Sequence, residues 1–312
     1  MRVLLVTNMY PSPRRPHFGT FVHDEVEALR GLGVEMDVLF ADGQRHTSNY
    51  VAGMAAVLSR SLGRQRYDLV HAHYVLSGVL ARCQLRWPLV LTLHGSEVAV
   101  GWTPPLSRAL ARLADWVIVT SPRVLDDLHM NLPHVAVIPC GIDLDLFTPG
   151  EQAAARAALG LPAERQLVVF VGEPRPEKQV HLLEGAVARL QAAGQPVDLV
   201  IASGQPHERV PLFMQAADVL GLTSSYEGSP MVIKEAMACN LPIVATDVGD
   251  VAGVIRDTAG CYLTAPTVES VADKLALALA FGGRTDGRSR IRHLSGAAAA
   301  QQVLAVYHEV LR

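Results

Sequence analysis

No long run of Lys or Arg occurs in this chain, whose formal net charge is −3. The electrostatic footprint of a nucleic-acid binder is therefore missing, and small-molecule partners are expected instead. Cysteine is scarce. The four thiols, Cys83, Cys140, Cys239 and Cys261, include no C-x-x-C pair and are too scattered for a disulfide scaffold, so they are read as free thiols in a reducing cytoplasm. No apolar stretch approaches the roughly 20 residues needed to span a bilayer. The apolar run at the start stops at Asn8, shorter than the apolar core of a signal peptide. A cytoplasmic protein is expected, at most peripheral at the inner membrane face. No G-x-G-x-x-G follows any strand-like run, which argues against a nicotinamide enzyme.

What is present is a chain of 312 residues, 50% hydrophobic and 18% charged, long enough for two domains that each bury a core. Short β-branched runs alternate with amphipathic segments from end to end, the pattern of βα units feeding a parallel sheet. Runs at 2–7, 34–41, 68–74, 89–95, 116–121 and 134–140 predict a first set of buried strands. The clearest helix between them is Thr20 to Leu32, with an apolar stripe of Phe21, Val22, Val26 and Leu29. A Pro- and Gly-bearing break from Gly141 to about Glu164 reads as the interdomain connection. Strand-like runs at 167–172, 198–203, 218–223 and 241–247 then predict a second sheet, with helices at about 178–193, 208–217 and 230–239. The expected division is a first doubly wound domain over residues 1–145, a second over 146–290, and a terminal helix over 291–312 that docks on one lobe or bridges both. Two such sheets facing a cleft would set their ligand outside the strand carboxyl ends.

Four segments carry chemistry. The Pro-rich loop 8–18 leads into Gly19 at a helix start, where free amides and the dipole suit a phosphate oxygen. His94-Gly95-Ser96-Glu97 closes a strand, and a neutral imidazole there can donate to and accept from sugar hydroxyls. His71 and His73 share one strand face, but no third metal ligand is apparent, and no metal site is expected. Gly172 opens a loop in which Arg175 and Lys178 bring two cations to a helix start; cations set against the dipole suggest an anion such as a diphosphate. The structural alternative is a solvated turn.

The most specific segment is Tyr226-Glu227-Gly228-Ser229-Pro230-Met231-Val232-Ile233-Lys234-Glu235. Ser229 is expected as N-cap and Pro230 as the first helical residue, leaving the amides of Met231 and Val232 to face a ligand. Glu227 and Glu235 would then stand about 12 Å apart if the rise stayed helical, one carboxylate for ribose hydroxyls and one for a sugar, with the diphosphate on the amides. Two surface glutamates are the alternative.

At this point the chain resembles the retaining glycosyltransferases of the GT-B fold, specifically family four, over nearly its whole length. The carriers are the E-x7-E pattern from Glu227 to Glu235 with the run Ala236-Met237-Ala238-Cys239 after it, Gly19, the H-G-S-E segment at His94, and Pro139-Cys140-Gly141-Ile142-Asp143. The resemblance implies two Rossmann-like domains, a nucleotide-diphosphate sugar donor, retention of configuration and no metal; UDP or GDP is the expected carrier. It implies that Glu235 holds the ribose, Glu227 the donor sugar, His94 the sugar ring and Lys178 the leaving diphosphate; Gly172, Ser229, Pro230, Met231 and Val232 are also expected to line the donor site. Three departures stand out: Glu173 where the family has arginine, which would pass that role to Arg175; Asn240 for glycine; and a short segment before residue 218. The acceptor is a small molecule, a glycan or a lipid-linked group; Arg14, Arg15 and His17, with Arg60, Arg64 and Arg66, could favour an anionic or membrane-borne one. Asp143-Leu144-Asp145 spells a metal-binding Asp-x-Asp but sits in the linker. An epimerase of the same fold and a non-catalytic sugar-nucleotide sensor remain as other readings.

Overall fold

A computed structural model describes residues 1–16 and 18–312, so His17 lies outside the described residues. The chain divides into two compact units, Met1–Gly141 with Gly296–Arg312, and Ile142–Ser295.

The first unit is built on six strands: β1 (Arg2–Thr7), β2 (Glu35–Phe40), β3 (Leu69–His73), β4 (Leu89–Leu93), β5 (Trp116–Val119) and β6 (Val135–Val137). They form one sheet in the order β2-β1-β3-β4-β5-β6, with every pair parallel. Alternate residues face opposite sides, and both sides are buried, as a parallel sheet requires. Val3, Leu5, Leu69, Val90 and Ile118 pack with Val22, Val26 and Leu29 of the helix Thr20–Gly31. Leu4, Val6, Val70, Leu91 and Val119 pack on the other face. The terminal helix Gly296–Val310 adds Ala300, Val303, Val306 and Tyr307 to the first of these clusters. Where the chain leaves and re-enters this unit, a Cβ on Gly141 would meet Gly296 Cα at 2.6 Å, so the crossing requires glycine.

The second unit holds β7 (Gln166–Val171), β8 (Val197–Ala202), β9 (Val219–Leu222), β10 (Ile243–Thr246) and β11 (Cys261–Thr264). Their order is β11-β10-β9-β7-β8, again all parallel. The four-residue β11 is the strand that the hydrophobic pattern leaves unmarked, because Cys-Tyr-Leu-Thr is too short to stand out. Only a 3₁₀ turn and the seven-residue helix Val210–Ala216 connect β8 to β9, which is the short segment noted in the sequence.

Both sheets run in one topology. Counting strands within each unit, the order is 2-1-3-4-5, and the first unit adds a sixth. In such sheets the order reverses beside the first strand, and a ligand is expected at the carboxyl ends there. Those points lie between β1 and β3 in the first unit and between β7 and β9 in the second.

Candidate active site

The second unit's reversal point is stitched together by the loops after β7 and β9. Gly172 follows β7 with φ 131° and faces open space, the closest atom to a Cβ being the Phe170 ring at 3.9 Å. The chain then makes a 3₁₀ turn at Pro176–Lys178, passes through Gln179 in a left-handed conformation, and enters the helix Val180–Ala192. Thr223 Oγ1 donates to the carbonyls of Lys178 and Gln179, both at 3.0 Å, and the Ser225 amide donates to Glu177 O at 2.8 Å. This brings Lys178 Nζ to 2.5 Å from Glu227 Oε1, which also accepts from Ser224 Oγ at 2.7 Å. Both partners of the ion pair are mostly buried. Arg175 behaves differently: its side chain is 65% exposed and its guanidinium lies 3.3 Å from Glu177. The two cations read as facing an anion are thus each matched by a carboxylate. Among the described residues, Gln179 Oε1 and Asp250 Oδ1 are buried acceptors of this unit without a hydrogen-bond partner.

The helix of the E-x7-E segment runs Met231–Ala238, with Ile233 to Ala238 buried and Glu235 in its second turn, 7% exposed. Its cap corrects the sequence expectation. Pro230, with φ −68° and ψ 117°, occupies the N-cap position, so Met231 is the first helical residue and Ser229 caps nothing. Ser229 Oγ instead donates to Asp250 Oδ2 at 2.5 Å and accepts from Lys234 Nζ at 2.7 Å. Lys234 is fully buried and stands 3.6 Å from Asp250. The competing partner is physical: a buried ammonium needs oxygen acceptors, and the serine supplies one. Residues 227–230 are not helical either, so the 12 Å spacing, which assumed a helical rise throughout, does not apply. Lys234 and Asp250 were missed; a lone lysine within an otherwise apolar helix was the available signal. The amides of Met231 and Val232 open this helix, where the ladder offers them no acceptor.

In the first unit Gly19 caps the helix Thr20–Gly31 with φ 74°. A Cβ there would meet Met9 C at 2.4 Å and Tyr10 N at 2.6 Å, so glycine is demanded by the loop's own backbone folding over it. In the same loop, Arg15 is held by Asp42 at 2.7 Å.

His94 follows β4. Its backbone amide and that of Gly95 donate to the two carboxylate oxygens of buried Glu97, at 2.7 and 3.0 Å. Burial pushes the Glu97 carboxyl up to about 7, against the pull of those amides. The His94 ring packs on Phe21, with centroids 5.0 Å apart. Its Nε2 lies 3.2 Å from His73 Nδ1 and its Nδ1 lies 3.8 Å from Cys140 Sγ. Burial first, and the neighbouring His73 second, push His94 down to about 3, so the ring is neutral at ordinary pH.

Glu25, which no motif or spacing singles out, reaches His71 and His73 from the helix Thr20–Gly31. The donor atoms of these three lie within 4.8 Å of one another. His71, however, spends both nitrogens on protein partners at 2.7 Å, Nδ1 with Tyr307 OH and Nε2 with Thr92 Oγ1. That leaves two donors, fewer than the three protein ligands of the usual zinc centre.

Residues 18–146 match Glycosyltransferase Family 4 and residues 202–283 match Glycosyl transferases group 1. The D-inositol 3-phosphate glycosyltransferase of Mycobacteroides abscessus is 33% identical over 276 residues, 74% of this chain and 62% of the relative. The chain thus spans about three-fifths of the length of the curated relatives it matches. Among solved structures, sucrose-phosphate synthase from Thermosynechococcus elongatus superposes with a TM-score of 0.81 at 22% identity, over 99% of this chain and 98% of that one. Anabaena HepE in complex with UDP gives 0.73 at 18% identity, over 99% and 100%. With two parallel sheets of one topology and family matches in both units, the chain belongs to glycosyltransferase family 4 and has the GT-B fold.

Proposed function

We propose that this chain is a retaining, metal-independent glycosyltransferase that moves a sugar from a nucleotide-diphosphate donor, UDP or GDP, to an acceptor hydroxyl. The observation that carries this reading is the Lys178–Glu227 ion pair at the β7/β9 reversal point, in the same loop that opens the helix bearing Glu235. A diphosphate arriving there can take Lys178 from Glu227, releasing that carboxylate for the sugar. The helix-opening amides of Met231 and Val232, after Ser229 and Pro230, complement the phosphates, and Glu235 accepts the ribose hydroxyls. Gly172 leaves room for close approach, and Arg175 adds a second cation.

In the reaction the bond from the anomeric carbon to the phosphate oxygen breaks as the acceptor oxygen bonds to that carbon. The acceptor proton passes to the departing phosphate, whose charge Lys178 and the amides stabilise. His94 contributes a hydrogen bond to the transferring sugar, and Gly19 shapes the loop that follows β1. HepE's UDP complex supports UDP as the first nucleotide to try.

The acceptor is proposed to be anionic or lipid-linked. Val51, Leu58 and Leu62 are exposed along one helix, and Leu85 is exposed nearby. Arg86 donates to Ser61 O and Gly63 O at the end of that helix, and Arg64 and Arg66 are exposed beside it. An apolar stripe with a basic margin suits an anionic membrane surface. Flotation with anionic but not neutral vesicles is expected; no flotation with either removes the membrane part of the proposal. D-inositol 3-phosphate, named for the relative, belongs in the acceptor screen.

The deciding test is a thermal-shift panel of UDP, GDP, ADP and NAD on the wild type and Glu235→Ala. A nucleotide at 100 times its Kd adds about 2.7 kcal/mol. One nucleoside diphosphate should stabilise the wild type and not the variant; no shift, or a shift with NAD alone, ends the transferase reading. Turnover of the sugar donor without an acceptor to an isomeric nucleotide sugar would point to an epimerase, and binding with neither transfer nor hydrolysis to a sensor.

A further inference from the structure

We infer that Glu25 and His73 are positioning residues that hold His94 in a single tautomer, with Nε2 protonated and Nδ1 offered as an acceptor. The inference deepens the proposed function, because it rests on His94 meeting the transferring sugar.

The argument follows the atoms. Glu25 Oε1 lies 3.1 Å from His73 Nε2. An ionised carboxylate only accepts, so we take His73 as the neutral ring whose proton sits on Nε2 facing Glu25 and whose lone pair sits on Nδ1. That Nδ1 lies 3.2 Å from His94 Nε2, so His94 must be the donor in this contact. A neutral His94 then has its lone pair on Nδ1, and the group facing it is the Cys140 thiol at 3.8 Å, a weak donor. A sugar hydroxyl, a much better donor, can replace the thiol at Nδ1 without disturbing the rest of the chain. With His73 in that neutral form, the opposite tautomer of His94 would place two lone pairs face to face between the rings.

Burial makes the arrangement hard to escape. His73 is fully buried and Glu25 largely so. Among the described residues neither Glu25 Oε1 nor His73 Nε2 has a hydrogen-bond partner, and they lie 3.1 Å apart, so each is the group that can satisfy the other. His71 cannot take over, since Tyr307 and Thr92 use both of its nitrogens. The stacking of His73 on His94, with centroids 5.3 Å apart, fixes the second ring's plane as well. A carboxylate that sets an imidazole's tautomer through its far nitrogen is a known way to orient a functional histidine; here a second imidazole stands between them.

The test is a long-range proton–nitrogen NMR correlation on protein carrying 15N-histidine, with the His94 signals assigned by their loss in His94→Gln. The wild type should show protonated Nε2 and unprotonated Nδ1 for both His73 and His94. Glu25→Gln, which keeps an acceptor oxygen, should retain this pattern and most of the activity. Glu25→Met, of similar length and without an acceptor, should leave His94 as a mixture of tautomers. It should also lower kcat about 10- to 100-fold, the scale on which such outer partners act, with nucleotide affinity unchanged. Should Glu25→Met fail to fold, His73→Leu reads the same tautomer. A wild-type His94 protonated on Nδ1, or His94 signals that ignore Glu25→Met, overturns the inference. So does stoichiometric metal whose removal by chelator shifts the His73 signals. Failure of the nucleotide panel would instead strike the proposed function and leave the NMR result standing.

Discussion

The two reversal points share one topology and differ in their chemistry. At β7/β9 the side chains are charged and paired, Lys178 with Glu227, and the helix that follows carries Lys234, paired with Asp250 in the interior. At β1/β3 the groups around Glu25 are hydrogen-bonding rings and hydroxyls, His71 and His73 with Tyr307 and Thr92, and His94 follows β4 next to them. One sheet plan therefore carries two kinds of side-chain chemistry. Ion pairs suit a ligand that brings charge and exchanges partners with them. Fixed neutral hydrogen bonds suit a ligand made of hydroxyls, where direction matters more than field strength.

The sharpest break in this comparison is Lys234→Ala. Its ammonium is fully buried and its partners are Ser229 and Asp250, so removal leaves a carboxylate with an orphaned acceptor in the interior. Breaking a buried pair from one side costs about 3–5 kcal/mol. A urea titration should show that loss; a change below about 1 kcal/mol would mean that the charged point is much wetter than its burial implies.

Lys178→Ala tests function at the same point. Glu227 keeps Ser224 as a donor, so the fold should survive. Removing one preorganised stabiliser of developing charge costs about 10²–10³ in kcat. Release of nucleotide in single-turnover experiments reads this directly. A variant that keeps its rate would take the diphosphate away from Lys178.

The neutral point should respond to acid instead. His94 titrates at about 3 in the folded protein and near 6.5 when unfolded. A depressed value means stability that is present above the unfolded value and lost as pH falls from about 6.5 towards 3. Glu97 works the other way: its folded value of about 7 lies above the unfolded one, so its contribution is complete below the unfolded value and lost as pH rises through about 7. Comparing the wild type with His94→Gln cancels the Glu97 part. The variant's stability should fall less steeply between pH 6.5 and 4, by up to about 1.4 kcal/mol per pH unit. Parallel curves would place a charge on the His94 ring.

How much of this was legible beforehand follows from the range of each interaction. Strands such as β3 and β4 announce themselves because every residue in them is buried. Glu235 and His94 are legible through local spacing and position. The partners that give those residues meaning come from far along the chain: Tyr307 lies 236 residues from His71, and Glu25 reaches His73 from another element. No periodicity encodes such a meeting. The capping error at Ser229 has the same origin, because local propensity favours a serine cap and a distant Asp250 and a buried Lys234 outbid it. Gly19 was placed correctly on a helix start, but the atoms that require it are those of Met9 and Tyr10.

Arg175 supplies the mildest test and the finest one. It shares a loop with Lys178, yet its side chain is 65% exposed and its partner Glu177 is exposed as well. Exposed pairs contribute about 0–1 kcal/mol, so Arg175→Ala should leave the melting temperature nearly unchanged. Its effect should fall on the donor: an exposed cation attracts a diphosphate without being bound to one geometry, which raises KM several-fold on removal and barely moves kcat. Lys178, held by Glu227 until the ligand arrives, should show the reverse split. If Arg175→Ala instead lowers kcat as strongly as Lys178→Ala, the two cations act as one clamp, and Glu173 has displaced the family's arginine by two positions without displacing its role.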